Sequence, residues 1–67
     1  MITEIHTVQA GQTRLDFAPP HGAKRMRLFN EQGFLMFDGP VFEEMERAFL
    51  WEIGPPETIQ LRIEWEL

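Results

Sequence analysis

The sequence predicts an α+β domain: a small, mostly antiparallel sheet of about five strands with one helix packed on it, in the order β-β-β-β-α-β. Three observations predict this. The last ten residues, Thr58–Leu67, alternate apolar and polar side chains at period two. Residues 40–53 carry apolar side chains at helical spacing between a proline and a glycine. The first half is cut by turn residues into short segments of strand composition.

Ile2–Val8 and Thr13–Ala18 flank Gln9-Ala10-Gly11-Gln12 and read as a first β-hairpin. Lys24–Phe29 and Phe34–Phe37 flank Asn30–Gly33, a loop length usual for a hairpin built on a type I turn. Along the earlier of these two strands Met26 and Leu28 point one way, while Arg25, Arg27 and Phe29 point the other. Phe34-Leu35-Met36-Phe37 is apolar on both faces, as a central strand beneath a helix would be.

The helix is expected to begin at Pro40, whose fixed φ is helical and whose missing N–H would be unpaired in a first turn. Asp38 or Gly39 would cap it, and Glu43 and Glu44 would meet the positive end of its dipole. Glu43 and Arg47 form an i,i+4 pair. Phe42, Met45, Phe49 and Ile53 mark the core stripe, and Gly54 with Pro55-Pro56 ends the element. In the final strand Ile59, Leu61, Ile63, Trp65 and Leu67 face the core, and Thr58, Gln60, Arg62, Glu64 and Glu66 face away.

With 67 residues the chain holds a single domain spanning residues 1–67. A domain this small buries only about 60% of its unfolded surface. There is no cysteine, so neither a disulfide nor a thiolate metal site can reinforce it. What it has instead is six Phe and two Trp, whose rings carry large buried area. No apolar run approaches the ~18–20 residues of a membrane span, and the N-terminus lacks a signal-peptide pattern, so the expected location is cytoplasmic. The opening Met1 reads, as an expectation, as the start of a small complete product.

Charge is unevenly spread. Residues 1–35 hold four cationic side chains, Arg14, Lys24, Arg25 and Arg27, against three anionic ones, Glu4, Asp16 and Glu31. Residues 36–67 hold two, Arg47 and Arg62, against eight: Asp38, Glu43, Glu44, Glu46, Glu52, Glu57, Glu64 and Glu66. An acidic C-terminal half disfavours phosphate backbones and favours a basic partner.

Catalysis finds little to work with, and the chain is read as a binding protein, not an enzyme. It has no Ser, Cys or Tyr, and its threonines lie in strand patterns where threonine is ordinary. No catalytic, cofactor or metal site is assigned. His6 and His21 are fifteen residues apart with no second pair. Asp38-Gly39-Pro40 is unfit as a phosphate cradle, having one glycine, a repelling carboxylate and a proline without N–H. Lys24-Arg25-Met26-Arg27 is the one basic cluster; as a DNA-contacting ribbon it makes a thin footprint for a chain of net charge −5. It reads better as a charged edge strand.

The surface expected to bind a protein partner combines Glu43, Glu44, Glu46 and Glu52 with Leu50 and Trp51, extended by Glu64 and Glu66. Trp51 falls opposite the predicted core stripe of the helix, where an aromatic has the character of an interface anchor. Clustered carboxylates on a compact scaffold can also imitate nucleic-acid phosphates and occupy a basic groove, in the manner of phage-encoded or mobile-element inhibitors of host defence. The alternative is a small assembly protein that completes its core by homo-oligomerising through Leu50, Trp51 and an edge strand.

Overall fold

The computed structural model describes residues 1–67. The chain forms β1 (Ile2–Val8), β2 (Arg14–Asp16), β3 (Arg25–Phe29), β4 (Leu35–Pro40), β5 (Ala48–Leu50) and β6 (Ile59–Glu66), and no helix. A four-stranded sheet runs β1-β6-β3-β4 and a two-stranded sheet pairs β2 with β5, every pairing antiparallel. The fold is all-β, and the expected α+β class with a helix between the fourth and last strands is overturned.

The residues read as helix divide between a turn and a strand. Met45 N–H donates to the Phe42 carbonyl at 3.2 Å, one turn that goes no further. Glu43, Glu44 and Glu46 crowd like charges into that turn, and a helix nucleus is costly before any packing offsets it. Phe49 and Leu50 then extend as β5, where Leu15 and Phe49 are cross-strand partners. The Phe49 ring lies 4.9 Å from Phe17 and 5.7 Å from Phe37. Non-local packing with β2 outweighs a local apolar spacing that fitted either period.

Pro40 is the last residue of β4, not the first of a helix. Val41 N–H donates to the Lys24 carbonyl at 2.9 Å, so in the facing pair Arg25–Pro40 the peptide groups of those two residues point away from each other. On Pro40 they point to the open edge, the side on which a strand tolerates a missing N–H.

The first predicted hairpin does not form, because both of its arms pair elsewhere. β1 takes β6 in unbroken register from Ile2–Trp65 to Val8–Ile59, and β2 takes β5. The second hairpin forms as expected between β3 and β4. Gly33 N–H donates to the Asn30 carbonyl, Asn30 Oδ1 accepts from Phe34 N–H at 2.9 Å, and Gly33 adopts the positive φ of 87° that closes such a loop. One extra residue, Met36, interrupts the β3–β4 register as a bulge between the Phe37–Leu28 and Leu35–Phe29 pairs.

β6 is the axis of the large sheet, bonded on both sides, and its alternation holds within the strand. Leu61, Ile63 and Trp65 are buried and Ile59 half-buried, whereas Leu67, expected inside, lies past the strand end and is exposed. They meet Val8, Met26 and Leu28 from the same sheet and Leu15 and Phe17 from the β2 side. The core is small. Nine of 67 residues are buried, leaving many large apolar side chains open along the sandwich.

Candidate functional site

The segment from Val41 to Ile53, which carries most of the residues expected to bind a partner, runs from the end of β4 through β5. Glu43, Glu44 and Glu46 are exposed in its turn-rich first half, and Glu52 follows β5. None of the four carboxylates belongs to an ion pair. Arg47 donates to the Glu43 backbone carbonyl at 3.3 Å and not to its carboxylate. Between these charges stand large apolar side chains: Phe42 is 55% exposed, Leu50 68% and Ile53 87%.

Two hollows open beside this segment. One of about 330 Å3 is walled by Phe37, Pro40, Phe42, Met45 and Phe49, with Glu46 in its wall and Phe17 and Met26 at its base. The other, of about 180 Å3, is walled by Trp51, Met36, Ile53 and Pro55 over Val8, Ile59 and Leu61. Trp51 is thus half-buried, its ring set against the end of the core, with Pro55 beside it. Its backbone N–H donates to the Thr13 carbonyl at 2.9 Å, which continues the β2–β5 ladder.

Glu64 and Glu66 are placed elsewhere. They lie on the outer face of the large sheet, within a lattice of opposite charges. Arg27 reaches Glu66 at 3.4 Å, Arg62 Nε lies 3.0 Å from Glu64 Oε2, and the Arg62 guanidinium sits 4.4 Å over the Phe29 ring. Arg25 donates to Asp38 at 2.6 Å, with Arg27 at 3.7 Å from the same oxygen. The Arg25 hydrogen bond holds the Asp38 carboxyl below the usual carboxylate range, and Asp38 in turn raises the Arg25 guanidinium. So the basic cluster is internal to the sheet, β3 lies between β6 and β4, and its two arginines are spent on carboxylates. Lys24 alone of that cluster stays exposed without an ion pair.

Glu43, Glu44, Glu46, Leu50, Trp51 and Glu52 thus lie within one chain segment, with Glu46 lining one hollow and Trp51 the other, while Glu64 and Glu66 lie on the outer face of the large sheet. Met36, Phe37, Phe42 and Ile53, which the sequence pattern assigns to the core, wall the hollows. The signal that marks two of them is the run Phe34–Phe37, apolar on both faces. In an edge strand with a bulge, such a run leaves side chains uncovered. Comparison with protein-family models, with curated proteins and with solved structures finds no match to this chain.

Proposed function

We propose that this chain is a protein-binding module that works without catalysis, through the two apolar hollows and the glutamates beside them. One observation carries the reading: Phe42, Leu50 and Ile53 stand open in the same short segment as four carboxylates that no cation of the chain engages. An apolar centre with a charged rim is the anatomy of a contact surface, and unengaged carboxylates steer basic partners toward it. The fitting partner is a protein with apolar anchors flanked by Lys or Arg. A narrower form of the proposal, an inhibitor from a phage or mobile element that occupies the groove of a nucleic-acid-binding protein, rests on the charge of Glu43, Glu44, Glu46 and Glu52. The cytoplasm is the proposed compartment.

The test compares immobilised wild type with two variants, Leu50→Ser with Ile53→Ser, and Glu43→Gln with Glu44→Gln and Glu46→Gln. A genuine partner is captured by the wild type, weakened by salt, and lost on both variants. Partners retained equally by all three proteins would remove this surface from consideration.

A further inference from the structure

The large sheet has two edges, and they differ. β4 is interrupted by the Met36 bulge and ends in Pro40, which has no N–H to offer a new strand. β1 runs seven residues in unbroken register against β6, with no proline, lysine or arginine. No strand other than β6 bonds to β1, so its outer edge is unpaired, and a hollow of about 570 Å3 lined by Glu4, Ile5, His6, Asp16, Phe17 and Ala18 opens beside it.

The sequence of β1 has an unusual symmetry. Read outward from Ile5, Ile2-Thr3-Glu4-Ile5-His6-Thr7-Val8 is the same in both directions by chemical type: charged or titratable, then threonine, then aliphatic. The register with β6 puts Ile2, Glu4, His6 and Val8 on the inner face, opposite Trp65, Ile63, Leu61 and Ile59. Thr3, Ile5 and Thr7 lie on the outer face, opposite Glu64, Arg62 and Gln60. Ile5 is an aliphatic residue where the pattern calls for a polar one, and it is 60% exposed. Glu4 and His6 are polar where the pattern calls for core, and they hydrogen-bond each other at 3.0 Å.

We propose that β1 is the docking edge for a second copy of this chain, which pairs antiparallel to it about a two-fold axis through Ile5. In that register Ile5 faces Ile5 of the second copy, Thr3 faces Thr7, and Ile2 faces Val8. Glu4 faces His6 twice, so a carboxylate meets an imidazole at each crossing. Such apolar, threonine and carboxylate–imidazole pairs are favourable cross-strand combinations. Inward-pointing polar groups ordinarily protect an edge against a generic apolar strand. A second copy sets an imidazole opposite each Glu4 and a carboxylate opposite each His6, a cross-strand match added to the contact the two already make within β1. The product is a closed, isologous dimer with one continuous eight-stranded sheet. Its two outer edges are the β4 strands, so the hollow walled by Phe37, Pro40, Phe42, Met45 and Phe49 shares no residue with the β1 seam, and this inference stands apart from the function proposed for that hollow.

Light scattering coupled to size exclusion tests the pairing on the full chain. Wild type should run at twice its 7.9 kDa mass. Ile5→Lys and Ile5→Glu should each run as folded monomers, since each sets like charges face to face across the axis. An equimolar mixture of the two should recover the doubled mass. A monomeric wild type at high micromolar concentration overturns the proposal. So do dimeric single variants, which would put the interface elsewhere, and a mixture that stays monomeric, which would refute the register. Should either variant fail to fold, isotope-filtered nuclear Overhauser contacts between the Ile5 side chains of labelled and unlabelled wild type decide the matter, their absence in a dimer overturning the proposal. Partner capture by Ile5→Lys reports separately on the β4-side surface.

Discussion

Asp38 accepts a 2.6 Å hydrogen bond from Arg25, its diagonal neighbour, while Arg27, its direct cross-strand partner, lies 3.7 Å away. One carboxylate thus lies against both arginines of β3, Arg27 being shared with Glu66, and ties the edge strand β4 to the interior of the sheet. Without it, Arg25 would have no ion-pair partner and would stand two residues from Arg27 on one face.

Asp38→Asn should therefore destabilise the fold near neutral pH and not in acid. The Asp38 carboxyl sits below its ordinary value of about 3.9. The unfolded state accordingly binds the proton first, and the stabilisation is fully present above that ordinary value. It is lost as pH falls through the lower folded value. Thermal melts from neutral to strongly acidic pH should show the wild-type advantage shrinking to nothing at the acid end. An advantage that persisted there would have to come from something other than the charge.

Trp65 has no exposed surface, packs 6.0 Å from the Phe17 ring, and buries an indole N–H that has no hydrogen-bond partner. Trp65→Ala should cost about 3–5 kcal/mol, as much as the net stability of roughly 3–5 kcal/mol expected of so small a core. That variant should be unfolded. Trp65→Phe loses volume but also removes an unpaired buried donor, whose cost is about 1–3 kcal/mol. The two effects oppose each other, so this variant should stay folded and lose no more than about 2 kcal/mol in urea unfolding.

Where a segment's periodicity had a single solution, the sequence revealed its structure. Thr58–Leu67 alternates over its whole length, and β6 follows it with Leu61, Ile63 and Trp65 inside. Asn30–Gly33 has the chemistry of one turn, and the β3–β4 hairpin closes on it. Residues 40–53 had two solutions, since Phe42, Met45, Phe49 and Ile53 fit a helical stripe while Ala48-Phe49-Leu50 also fits a strand. What decided between them was β2, more than thirty residues away in sequence, and local spacing does not report on such a partner. The first expected hairpin does not form for the same reason, since β1 is drawn to the C-terminal strand. Of the candidate surface, the glutamates of Val41–Ile53 and Trp51 were legible because the sequence concentrates them. Glu64 and Glu66 looked equally free, and only the sheet order sets Arg27 beside Glu66.

Gly54 is a packing constraint. A Cβ there would run into the backbone of Gly11 and Gln12, where the β1–β2 turn crosses the β5–β6 connection. Gly11 N–H donates to the Pro55 carbonyl at 2.9 Å across the same crossing. Gly54→Ala should cost about 1–3 kcal/mol, because backbone and not a flexible side chain must give way. Amide exchange of Gly11 should speed up with it. An unchanged melting temperature would mean that the two loops separate freely.

The sharpest test of the strand over the helix compares two serine substitutions four residues apart. On a helix packed against the sheet, Phe49 and Ile53 would share the buried stripe, and both changes would be costly. In the structure Phe49 is wedged between Phe17 and Phe37, whereas Ile53 is 87% exposed. Phe49→Ser should lose about 3 kcal/mol or more. Ile53→Ser should stay within about 0.5 kcal/mol of wild type, and its effect should appear instead in partner capture. Comparable losses at both positions in denaturant unfolding would favour the helix and dismantle the open surface along with it.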